Sequence, residues 1–78
     1  MENKVKEIMS KVFDVDVETI GDDASPDTID NWDSFRHMIL VVALEEEFGV
    51  EIGDEQINEM LNLQLILLTL KELMVQKN

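Results

Sequence analysis

An unbroken apolar run, Met38-Ile39-Leu40-Val41-Val42-Ala43-Leu44, lies between a cap signal at Asp33-Ser34 and a stop signal at Gly49. A helix apolar around most of its circumference is a central helix, touched by several neighbours. Either Asp33 or Ser34 can begin it, because a side-chain oxygen accepts from the free N–H groups of a first helical turn. Gly49 can end it after Phe48, since glycine takes the left-handed conformation at little cost. With 78 residues in all, the chain makes one domain, 1–78, and the rest of it must wrap around this helix. A domain this small sits near the lower limit of what an apolar core alone can hold.

The flanking segments supply the wrapping. Val5, Ile8, Met9, Val12 and Phe13 recur at helical spacing, with Lys4, Lys6, Glu7 and Lys11 mostly off that face, which predicts a helix from about residue 2 to about residue 13. A polar connection follows from Asp14 to Asp33, rich in aspartate and holding Gly21 and Pro26. At about 20 residues it exceeds most loops, and loops of that length often carry function. Val15, Val17, Ile20, Ile29 and Trp32 are its expected inward anchors. Beyond Gly49, Val50 and Ile52 alternate with Glu51 as a short extended piece. Asp54 is expected to cap a brief helix carrying Ile57 and Met60. Asn62 is expected to cap a last helix with Leu63, Leu67, Leu70 and Met74 on one stripe, widened by Leu65, Ile66 and Leu68. The expected fold is all-α: a small four-helix bundle of three long helices and one short helix, with a long first loop.

Charge restricts the partners. The formal net charge is -12, and between Asp14 and Glu59 the only Lys or Arg is Arg36. Such a field repels nucleic-acid phosphates and anionic lipid, and it attracts basic protein surfaces and speeds encounter with them. Plain solubility explains the same composition. No apolar stretch reaches the roughly 18 residues of a membrane span, and the start has no apolar leader core, so a cytoplasmic monomer without membrane insertion is expected. With no cysteine there is no disulfide or thiolate chemistry of the chain's own.

Two features invite a chemical reading. Ser34 presents a hydroxyl where a long loop meets the central helix, and a phosphate ester there would lie beside free N–H groups and the positive end of the helix dipole. A serine in that place is also commonly no more than a cap, and the residues alone leave both readings open. His37, the only histidine, is three residues on and can share a face with Ser34. A hydrolytic Ser–His pair would need an oriented base and an oxyanion hole, and no Gly-x-Ser-x-Gly elbow is present, so no catalytic residue is assigned. Asp14, Asp16 and Glu18 begin like a calcium loop, but Thr19 and Ser25 stand where glycine and the bidentate glutamate are required, so no metal site is assigned. The acidic surface could still attract divalent ions weakly.

The run Asp33-Ser34-Phe35, followed by Met38, Leu40 and Ala43-Leu44-Glu45-Glu46-Glu47-Phe48-Gly49-Val50-Glu51-Ile52, resembles the acyl carrier protein family. That family's signature is Asp-Ser-Leu at the start of its second helix, before an apolar helix that ends in acids. Ala24-Ser25 upstream, Asp54-Glu55 at the short helix and Asn62-Leu63-Gln64 at the last extend the likeness over essentially the whole chain. The resemblance implies a carrier, not an enzyme. A phosphopantetheinyl transferase would attach 4'-phosphopantetheine to Ser34, flanked by Asp33 and Phe35. The arm's thiol would hold acyl groups as thioesters for acyl-loading and acyl-using enzymes with basic docking surfaces, in fatty-acid, lipid or polyketide-type biosynthesis. The acyl chain can shelter in such a bundle, and Met38, Val42, Met60, Leu61 and Leu65 are compatible with that or with ordinary core packing.

Departures from the family pattern bear on partner choice. Phe35 replaces the usual leucine. Arg36 and Ile39 occupy second-helix positions that are often acidic in fatty-acid-synthesis carriers, which leaves Glu45, Glu46 and Glu47 as the acidic docking candidates. Asn31-Trp32 replaces a glycine-containing approach, and Gly53 stands where proline is common. These changes suggest a specialised member. Trp32 and Phe35 either flank the arm or anchor the core. The alternatives are an aminoacyl or peptidyl carrier, or an acidic helical interaction module with an unmodified Ser34.

Overall fold

The computed structural model describes residues 1–77, with side chains through Gln76; Asn78 and the Lys77 side chain lie outside the described residues. It contains α1 (Glu2–Phe13), a 3₁₀ turn at Val17–Thr19, α2 (Ser34–Phe48), α3 (Asp54–Glu59) and α4 (Leu63–Lys77), with no strand among the described residues. This is the expected bundle of three long helices and one short one. Val5, Met9 and Phe13 of α1, Leu40, Val41 and Leu44 of α2, and Leu63, Ile66, Leu67 and Leu70 of α4 meet in one core. Val50, Ile52 and Met60 close it beside α3, with Val50 and Ile52 in irregular backbone.

The long loop is pinned at both ends of its course. Ile20, Ala24, Ile29 and Trp32 are buried. Asn31 Nδ2 donates to the Phe13 carbonyl at 2.8 Å, which ties the loop to the end of α1. The Leu63 N–H donates to the Ala24 carbonyl at 2.9 Å, and Gln64 Nε2 donates to the Asp22 carbonyl at 3.1 Å, tying it to α4. On the surface, Lys6 Nζ pairs with Asp22 at 3.2 Å and with Glu2 at 3.4 Å. The Asp22 hydrogen bond, helped by Glu2, raises the Lys6 ammonium above its ordinary range against the opposing effect of desolvation. A raised pKa is stabilising below the unfolded value and stops contributing as pH climbs through the folded one, so this contact acts throughout the neutral range.

Two helix ends use left-handed residues. Gly49 has φ 63°, and its N–H returns to the Glu45 carbonyl. Asp14 does the same after α1 with φ 55° and an N–H to the Ser10 carbonyl, one of the few non-glycine residues that tolerate this conformation. Gly49→Ala puts a Cβ into that backbone region and is expected to cost about 1 kcal/mol in urea unfolding; an unchanged midpoint would show that the turn relaxes freely.

Three expectations about which side chains face inward are corrected. Val17 is exposed, because the 3₁₀ turn carries it away from the core between half-buried Val15 and buried Ile20. Met38 and Val42 are also exposed, on the same outer side as Ile39, because α2 turns Leu40, Val41 and Leu44 into the core. The last helix likewise turns Leu65 and Leu68 outward. Asp54 is the first residue of α3 and not its cap: Gly53 holds that place, and its N–H donates to Gln56 Oε1 at 2.8 Å. Asn62 caps α4 as expected, its Oδ1 accepting from the Leu65 N–H at 2.8 Å.

Candidate functional site

Asp33 is the N-cap of α2. Its Oδ1 accepts from the Arg36 N–H at 2.8 Å, its carbonyl accepts from the His37 N–H at 2.8 Å, and Oδ2 lies 3.4 Å from Arg36 Nη1. Ser34, the first helical residue, is therefore relieved of capping. It is exposed, and among the described residues nothing hydrogen-bonds its hydroxyl.

The other two serines differ. Ser10 Oγ donates to the Val15 carbonyl, and Ser25 Oγ accepts from the Asp27 N–H. Ser34 is the serine whose oxygen is available. The Ser34 and Phe35 N–H groups likewise have no acceptor among the described residues. They lie at the positive end of the α2 dipole, where an anionic ester oxygen is stabilised.

Beside Ser34 runs an open groove of about 520 Å³ between α2 and α3. Trp32, Met38, Ile57, Met60 and Leu61 give it apolar walls, and Asp33 and His37 lie along it. Of the residues compatible with sheltering an acyl chain, Met38, Met60 and Leu61 border this groove, whereas Val42 and Leu65 do not. Leu61 is 60 % exposed at its lip.

Trp32 and Phe35 separate. Trp32 is a core anchor, stacked on Phe13 at a centroid distance of 5.0 Å, with one edge on the groove. Phe35 is 73 % exposed on the outer face of α2, where it forms an apolar strip with Met38, Ile39 and Val42. Met38 belongs to both strip and groove.

The acids at the end of α2 also divide. Glu45 is half-buried, and its Oε2 accepts from the Ile52 N–H at 2.8 Å, holding the segment before α3. Glu46 and Glu47 face outward.

His37 is engaged away from Ser34. Its Nδ1 accepts from Trp32 Nε1–H at 2.9 Å, and its Nε2 lies 2.9 Å from the Ile57 carbonyl. A base for the Ser34 hydroxyl would need one of those nitrogens free. This double engagement had no signal in the sequence, because one partner is a backbone carbonyl and the other is not at helical spacing.

A family profile described as "Phosphopantetheine attachment site" covers residues 3–67. An acyl carrier protein of Thermosynechococcus vestitus is 42% identical over 64 residues, 82% of this chain and 79% of its own length. One of Buchnera aphidicola subsp. Schizaphis graminum is 38% identical over 64 residues, 82% of this chain and 81% of its own. An acyl carrier protein homolog of Mycoplasma genitalium is 38% identical over 77 residues, 95% of this chain and 88% of its own.

Proposed function

The chain belongs to the acyl carrier protein family, and we propose that Ser34 is its point of attachment for 4'-phosphopantetheine. The observation that carries this is the free hydroxyl of Ser34 at the N-terminus of α2, released from capping by Asp33 and open to the groove. The residues fit the group. Ser34 Oγ would bear the phosphodiester, and the Ser34 and Phe35 N–H groups would face its oxygens. Trp32, Met38, Met60 and Leu61 offer apolar surface to the arm or its cargo. When bound, the arm supplies the thiol that this cysteine-free chain lacks. The chain's own residues hold and present it and perform no bond-making step.

Incubation with coenzyme A and a broad-specificity phosphopantetheinyl transferase tests the assignment. One addition by intact mass is expected, and none on Ser34→Ala.

In this reading the protein is a cytoplasmic, monomeric carrier of acyl thioesters for fatty-acid, lipid or polyketide-type synthesis. No helix of the described residues is long and apolar enough to cross a membrane. Its partners are the transferase and acyl-loading and acyl-using enzymes with basic docking surfaces. Glu46 and Glu47 are the exposed acids that would meet them, while Glu45 serves within the fold. Arg36 and Ile39 lie on the same helix, and with Phe35 they make its first half cationic and apolar, which favours a specialised set of partners. Arg36→Glu is therefore expected to lower the KM of a transferase with a basic docking surface several-fold, by like-to-unlike charge reversal. An unchanged or higher KM would place docking elsewhere.

A further inference from the structure

We propose that His37 is a positioning residue: its neutral ring, with the proton on Nε2 alone, latches the first loop and α3 to the start of α2, and a second proton releases the loop arm of the latch. The tautomer follows from chemistry. An indole N–H can only donate, so His37 Nδ1, 2.9 Å from Trp32 Nε1, must present a lone pair. The ring's one proton is then on Nε2, directed to the Ile57 carbonyl 2.9 Å away.

One side chain thus joins three segments: Trp32 on the loop, His37 on α2 and Ile57 on α3. The rings of Trp32 and His37 also stack, with centroids 6.1 Å apart and 19° between planes. All three residues line the groove beside Ser34. The latch therefore fixes the separation of the groove's walls.

Protonation has one local consequence. Imidazole takes a proton from solvent at Nδ1, and two N–H groups then point at each other across a hydrogen-bond distance. The Trp32 contact is lost, and the stacked ring becomes a cation.

Near Trp32, His37 and Ile57 in sequence, the charged groups are Asp33 at the cap of α2 and Arg36 on α2, Asp27 and Asp30 on the loop, and Asp54, Glu55 and Glu59 on α3. All but half-buried Arg36 are exposed. None has a side-chain hydrogen bond to the imidazole, which has both nitrogens occupied. A proton on Nδ1 thus gains no carboxylate in exchange for the indole. Release loosens the groove against whatever the arm places in it, a consequence that rests on the carrier reading.

The test is nuclear magnetic resonance of the ¹⁵N-labelled, unmodified full chain from pH 8 to pH 5, alongside His37→Asn and His37→Leu. Long-range ¹H–¹⁵N spectra at pH 7.5 are expected to show the Nε2–H tautomer. As the imidazole takes its second proton, exchange protection of the Trp32 indole is expected to fall about tenfold, the scale of one lost hydrogen bond, while the α3 amides, still held through Nε2–H and the Ile57 carbonyl, keep theirs. His37→Asn offers a carbonyl oxygen to the indole and does not titrate. It is expected to keep its protection across the range, and it carries the test should His37→Leu not fold. A proton on Nδ1 at pH 7.5 would overturn the latch. So would unmoved protection while the ring titrates, or an Asn variant with the parent's pH response. Because the measurement uses the unmodified chain, the latch stands or fails separately from whether Ser34 accepts the arm.

Discussion

Ser34→Ala is expected to stay folded and to take up no phosphopantetheine at all. The two halves of that result have different causes. Stability is preserved because Asp33, not Ser34, caps α2 through its 2.8 Å bond to the Arg36 N–H. The Ser34 hydroxyl has no hydrogen bond to lose among the described residues. Alanine is at least as good as serine inside a first helical turn, so urea unfolding should change by no more than about 0.5 kcal/mol. Modification is abolished because no other serine presents an unbonded hydroxyl: Ser10 and Ser25 are both committed to the backbone. Asp33→Ala makes the complement. It removes the cap and should cost about 1 kcal/mol while leaving the hydroxyl in place. Intact mass and urea melts of the two variants separate the roles. An addition persisting on Ser34→Ala would move the attachment point, and a loss of stability equal to that of Asp33→Ala would make Ser34 structural.

The spans of the helices were legible because their signals are local. The apolar spacing from Val5 to Phe13 marks α1, and Gly49 and Asn62 mark a stop and a start by side-chain chemistry that acts within a few residues. The orientation of α2 was not legible for the opposite reason. A run that is apolar all round has no periodicity to say which side faces in. Leu40, Val41 and Leu44 were selected by where α1 and α4 lie, which left Met38, Ile39 and Val42 outside. The same holds for Leu65 and Leu68 on α4.

At the site, the resemblance pointed to Ser34 and to the acids, and spacing alone left capping open. What decided it was a competition between adjacent oxygens, Asp33 Oδ1 and Ser34 Oγ, for the same turn, and that depends on backbone angles. Glu45 reads like its neighbours in sequence, yet the return of the chain at Ile52 brings a bare N–H to its carboxylate. Phe35 and Trp32, both aromatic beside the signature, take opposite places because Asn31 fixes the loop on the Phe13 carbonyl and turns the indole onto the Phe13 ring.

That last contact sets the second large effect. Phe13 is fully buried at the end of α1 and bears on the site twice, through its ring under Trp32 and its carbonyl under Asn31. Phe13→Ala should cost about 3–5 kcal/mol, the range for truncating a buried phenylalanine. A small domain has about 5 kcal/mol or little more to lose, so much of the chain should be unfolded at 37 °C. The backbone carbonyl survives in the variant, so the loss isolates the ring. Phe13→Leu keeps most of the volume but not the aromatic face, and should cost about 1.5 kcal/mol or less. It should remain folded, with Trp32 less ordered and Ser34 still modified. Circular dichroism melts check both. For a domain of this size each kcal/mol moves Tm by roughly 4–8 °C, so Phe13→Ala should melt at least about 12 °C lower. A fall under about 8 °C would mean that Trp32 is held by the loop alone. The groove would then owe its shape to Asn31 and His37 without help from the core beneath them.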